Sequence, residues 1–74
     1  MLRQTLAENL KRLRKARQMS QREVAERAGL SKSFVSGVER TAVNISLDNI
    51  GALAKVFGVQ PYVLLIPPRD DIYN

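Results

Sequence analysis

Lys32, Ser33 and Ser36 fall on one face of a short helical segment, close to its N-terminal end. An ammonium and two hydroxyls so placed are hydrogen-bond donors that can enter a DNA major groove, about 12 Å wide. By spacing, Gly37 shares that outer face. The surrounding charge points the same way. Twelve Lys and Arg against seven Asp and Glu give a net charge of +5. Residues 1–40 hold ten Lys/Arg and four Glu, a net of +6, whereas residues 41–74 hold two against three Asp, a net of −1. A basic half joined to a near-neutral, more apolar half suggests a polyanion on one side and core or interface on the other. On charge alone, a merely soluble cationic surface is the alternative.

Other chemistries are thin. The chain has no His and no Cys, which removes Ser-His, Cys-His and His-metal sites as well as disulfides. Its carboxylates are Glu8, Glu23, Glu26, Glu39, Asp48, Asp70 and Asp71, and only the last two are neighbours. No phosphate-cradling glycine loop is present. Neither catalysis nor a metal or cofactor is expected. Seventy-four residues allow one domain, which buries only about 60% of its unfolded surface. Stability must therefore come from regular helix packing, from dimerisation, or from both. The N-terminus lacks a leader-like apolar stretch, and the longest apolar run, Tyr62 to Ile66, is far too short to span a bilayer. A cytoplasmic chain with no membrane partner is expected.

The elements that must position these residues are helical. Leu6, Leu10 and Leu13, with Leu2 one turn earlier, predict an amphipathic helix over 5–17, with Thr5 and Glu8 as a capping box. Ser20 and Glu23 form a second such box, Met19 and Val24 a staple, and Gly29 a stop after Ala28. Ser31 caps a third helix, Lys32 to Glu39 or Arg40, with Val35 and Val38 turned toward the core. Arg40 to Ile45 reads as a loop. Ser46 caps a fourth helix, whose buried stripe is Leu47, Ile50, Leu53, Ala54 and Phe57 and which ends at Gly58. A fifth follows Pro61 over Tyr62 to Leu65, before Pro67-Pro68 stops it. The expected fold is all-α, five short helices in one domain over 1–66, with a tail at 67–74. Two short helices meeting across Gly29-Leu30-Ser31 form a helix-turn-helix, about 20–40, in which small Ala25 allows close crossing.

These residues carry a resemblance. Leu10-x-x-Leu13-Arg14, Ser20-Gln21-x-x-Val24-Ala25, Ala28-Gly29-Leu30-Ser31, Val35-Ser36-x-Val38-Glu39-Arg40 and Leu53-Ala54-x-x-Phe57-Gly58-Val59 together resemble the Cro/CI-type (XRE) helix-turn-helix repressors, whose fold is lambda-repressor-like. The likeness covers residues 9–66. The segment Phe34 to Arg40 looks most like restriction–modification controller proteins. The resemblance implies double-stranded DNA as partner, with Lys32, Ser33 and Ser36 reading bases. It implies that Gln21 binds a backbone phosphate and buttresses the recognition helix, that Arg40 binds a phosphate, and that Arg14 and Glu39 form a structural ion pair. Arg17 and Arg22 are further phosphate candidates, as is Lys15. Phe34 either packs over the sugar-phosphate backbone or a thymine methyl, or joins the core. Three positions depart from the family pattern. Gln18 replaces the glycine that ends helix one, Gly37 replaces a base-reading side chain, and Val43 replaces a basic one.

The C-terminal part, about 45–66, bears on assembly. Phe57, Tyr62, Val63, Leu64, Leu65 and Ile66 exceed what one small core is expected to bury, so a homodimer interface is sought among them, the alternative being that all of them are core. Two copies would meet a pseudo-palindromic operator with half-sites roughly 34 Å apart. The reading is a sequence-specific transcription regulator, controlling its own gene or a restriction–modification operon. Rival readings are a DNA-binding antitoxin, a protein-docking module of the same fold, and a membrane-surface helix.

Overall fold

Three serines open three of the helices. The structure, a computed structural model, describes residues 2–68. Its elements are α1 (Leu2–Ala16), α2 (Gln21–Ala28), α3 (Lys32–Glu39), α4 (Leu47–Phe57) and a 3₁₀ turn at Pro61–Leu64. Ser20, Ser31 and Ser46 sit in extended backbone, and each hydroxyl accepts from an amide three residues on. Ser20 and Glu23 complete the reciprocal capping box, with bonds of 3.0 and 2.9 Å. No helix among the described residues is long and apolar enough to cross a membrane.

Two expectations need correction. Among the described residues there are four α-helices rather than five helices, because the last element is a single 3₁₀ turn. Gln60 supplies no side-chain cap, and Pro67 disfavours helical backbone at Ile66, leaving no room for regular α turns. The first helix begins at Leu2, so Thr5 lies inside it and does not open it.

All four helices end by the same device. The amide after a left-handed residue reaches back across the last turn, and the left-handed residue itself bonds one carbonyl further on. Gly29 and Gly58 serve α2 and α4 at φ 72° and 66°. The ends of α1 and α3 do it without glycine, at Gln18 (φ 55°) and Thr41 (φ 56°). Met19 N–H donates to Arg14 O at 3.0 Å and Ala42 N–H to Gly37 O at 2.8 Å.

One core results. Leu6, Leu10 and Leu13 of α1 meet Val24 and Ala25 of α2, Val35 and Val38 of α3, and Ile50, Leu53, Ala54 and Phe57 of α4. Leu64 closes it from the 3₁₀ turn. A polar side chain fastens that turn. Asn9, fully buried on α1, donates from Nδ2 to the carbonyls of Val63 (3.2 Å), Leu64 (2.9 Å) and Ile66 (2.7 Å). Burial also corrects the assembly reading. Phe57, Val63 and Leu64 lie inside this core, so the chain buries them itself and they offer no surface to a second copy. Tyr62 is exposed, and Leu65 and Ile66 are half-buried. Leu47, expected in the stripe of α4, is the first residue of that helix and is 82% exposed.

Candidate nucleic-acid interface

The two short helices are joined by Gly29, Leu30 and Ser31. Leu30 N–H donates to Ala25 O at 2.9 Å, and the Leu30 side chain packs against the core, so this corner is pinned on both sides. Val35 is fully buried and Val38 nearly so, which fixes the rotation of α3 about its axis. That rotation leaves Lys32 and Ser33 exposed and Ser36 half-buried at its rim. Both exposed groups lie in the first turn, where amide hydrogens point outward and the dipole favours anions. Phe34 is half-buried and packed against the core cluster.

Beneath α3 lies a charged hub. The Arg14 guanidinium grips Glu39 in two places, Nε to Oε2 at 2.6 Å and Nη2 to Oε1 at 3.0 Å. Its Nη1 donates to Met19 O at 3.0 Å. Gln21 Nε2 donates to Glu39 Oε1, also at 3.0 Å. Glu39 is only 5% exposed, so one buried carboxylate ties α1, the start of α2 and the end of α3 together. A two-point Arg–carboxylate pair is short and directional, and it holds angles as well as distance. Gln21 keeps its second amide hydrogen and its oxygen for other partners.

The remaining predicted contacts divide. Arg40 caps the C-terminal end of α3 with its side chain exposed and no ion pair among the described residues. Arg22 is exposed on α2. Arg17 turns elsewhere: its Nη2 donates to Phe57 O at 3.2 Å, and its guanidinium lies 5.8 Å from the Phe57 ring centroid. It caps the C-terminal end of α4, where a cation is favourable. Gly37 is a correction. It is buried, and a Cβ there would stand 2.7 Å from Val43 Cγ1, so it belongs to the packed side of α3 and not to the outer face. One polar residue escaped the reading by spacing. Asn9 interrupts the Leu6–Leu10–Leu13 stripe, and a polar residue on an apolar stripe is the signal that finds it. Gln21, to which the family resemblance gives a buttressing role beside phosphate binding, donates to Glu39 at the end of α3.

Residues 10–64 match the Helix-turn-helix family. The chain belongs to that family, in its Cro/CI (XRE) type. Members of the type are DNA-binding transcription regulators. A hypothetical transcription factor of Neisseria meningitidis is 44% identical over 69 residues, 93% of this chain and 65% of that one. The control protein C.BamHI of Bacillus amyloliquefaciens is 45% identical over 47 residues, 64% of this chain and 58% of that protein. The chain spans between 39% and 65% of the lengths of its Neisseria, Bacillus phage and Bacillus relatives. Among solved structures, the Neisseria factor superposes with a TM-score of 0.90 at 42% identity, covering 97% of this chain and 83% of that one. The restriction–modification controller C.AhdI from Aeromonas hydrophila gives 0.81 at 39% identity, covering 84% and 94%.

Proposed function

We propose that this helix-turn-helix chain binds a specific duplex as a homodimer and regulates transcription from it. The observation that carries the reading is α3 itself. Its donor-bearing first turn is exposed, while its opposite side is buried at Val35 and Val38 and its far end is gripped through Glu39. A rigid, oriented helix end is what major-groove readout requires, since base-edge hydrogen bonds tolerate little angular error. Lys32 suits the O6 and N7 acceptors of guanine, and Ser33 and Ser36 accept several bases. Gln21 and Arg40 bracket α3 and take phosphates. Relatives that include a restriction–modification controller and a phage immunity repressor support control of its own gene or of such an operon.

Selection of bound duplexes from a random pool at near-physiological salt tests this. Enrichment of an inverted repeat with one-turn spacing is expected. Lys32→Ala then loses about 1–3 kcal/mol on the preferred site and relaxes discrimination at one base pair. Arg40→Ala weakens every duplex about equally and lowers the salt slope by about one. Retention without enrichment sinks the specific reading, and identical behaviour of the two variants sinks the roles.

A further inference from the structure

We propose that Gly37 and Val43 are a size-matched pair that sets the backbone at Arg40–Thr41 and thereby aims Arg40 at its phosphate; this rests on the DNA-binding reading above. After α3 the chain doubles back. Thr41 N–H donates to Val38 O at 3.0 Å and Ala42 N–H to Gly37 O at 2.8 Å, with Thr41 left-handed at φ 56°. The reversal lays Val43 over the last turn of α3, directly on Gly37. Any Cβ at position 37 would meet Val43 Cγ1 at 2.7 Å, far inside the 3.5–4.0 Å of ordinary carbon contact.

Two locally unfavourable choices therefore coincide. Gly37 lies within a helix without positive φ, so alanine would suit its backbone better. Thr41 occupies a conformation that normally selects glycine. Both become intelligible if the position of the loop matters more than local propensity. Arg40 is the residue held between them, exposed at the corner of the reversal. Val43 is itself half-buried against the core, so the core reaches Arg40 through Val43 and Gly37.

The test uses the full chain on the selected duplex and on a random duplex across a salt series. Gly37→Ala should weaken both about tenfold, keep their ratio, and make the salt slope shallower by about one. Trimming the opposing side chain, as Gly37→Ala with Val43→Ala, should restore affinity to within about twofold. In an Arg40→Ala background, Gly37→Ala should cost nothing more, because the contact it misplaces is already gone. A DNA-free readout stands beside these. Amide exchange at Ala42, whose N–H bonds Gly37 O, should accelerate in Gly37→Ala and recover in the double variant. If Gly37→Ala does not fold, Val43→Ala alone removes the seat without overlap and should show the same shallower slope. Parent-like binding by Gly37→Ala, no rescue in the double variant, or losses that add to Arg40→Ala overturn the proposal. If the parent shows no preference between duplexes, the sequence-specific reading fails, while the salt slope and the Ala42 exchange still judge the pair.

Discussion

Glu39 accepts from Arg14 at both oxygens and from Gln21 at one, at 5% exposure. Burying a carboxylate is costly, and the cost is offset only while the donors stay in place. Removing the carboxylate strands the Arg14 guanidinium, whose side chain is 15% exposed. Glu39→Ala should therefore destabilise the fold by about 3–5 kcal/mol in urea unfolding, whereas a surface pair such as Arg12–Glu8, 3.9 Å apart on α1, should be worth under about 1 kcal/mol. A loss below about 1 kcal/mol for Glu39→Ala would mean that the hub does not brace α3. Asn9 makes the neutral counterpart of this case. Asn9→Leu keeps the shape and orphans three carbonyls, at an expected cost of about 2 kcal/mol in the same measurement. The Arg14–Glu39 contact was foreseeable only through family likeness, because a separation of 25 residues carries no local signal. Gly37 was misplaced for a related reason: without a side chain, periodicity cannot tell a glycine that yields to a ligand from one that yields to Val43.

At the scale of elements, the ends are unequal. Gly29 and Gly58 take the left-handed position freely, while Gln18 and Thr41 hold it against the steric cost of a Cβ. Gln18→Gly should stabilise the protein by about 0.5–1 kcal/mol, seen as a rise in the thermal midpoint, because the backbone is already shaped for glycine. No change or a fall would show that the Gln18 side chain contributes more than its conformation costs. Ser20→Ala, which dismantles the capping box, should lose about 1 kcal/mol. These ends explain which elements could be read in advance. The starts of α2, α3 and α4 were legible because serine at 20, 31 and 46 has a local job, and two of the stops because glycine does. The start of α1 was not: Thr5 and Glu8 have capping-box spacing, yet helical backbone continues to Leu2, where no competing signal stops it. The last element reads as a short fifth helix stopped by Pro67-Pro68, and apolar content over Tyr62–Leu65 does not distinguish that from the single 3₁₀ turn at Pro61–Leu64.

At the scale of the whole molecule, burial redistributes the apolar surplus that pointed to assembly. Phe57, Val63 and Leu64 fill the core, which a composition count cannot separate from surface. Among the described residues, the large apolar side chains left outside are Leu2 at 61%, Leu47 at 82% and Tyr62 at 61% exposure. Leu2 and Leu47 flank a groove of about 400 Å³ lined also by Leu6, Ile45, Ile50 and Leu65. A protruding leucine beside an apolar groove suits an isologous contact, in which each copy's projection meets the other's recess. For such a dimer the thermal midpoint rises with protein concentration. Leu47→Glu should abolish that rise and give monomers in sedimentation, while leaving unfolding at high dilution unchanged, because an 82% exposed leucine holds little of the core. Leu64→Glu should instead unfold the chain at every concentration, since it puts a charge at a fully buried position. A Leu47→Glu variant that still sediments as a dimer would move the interface off this groove, with Tyr62 the next exposed large apolar side chain among the described residues.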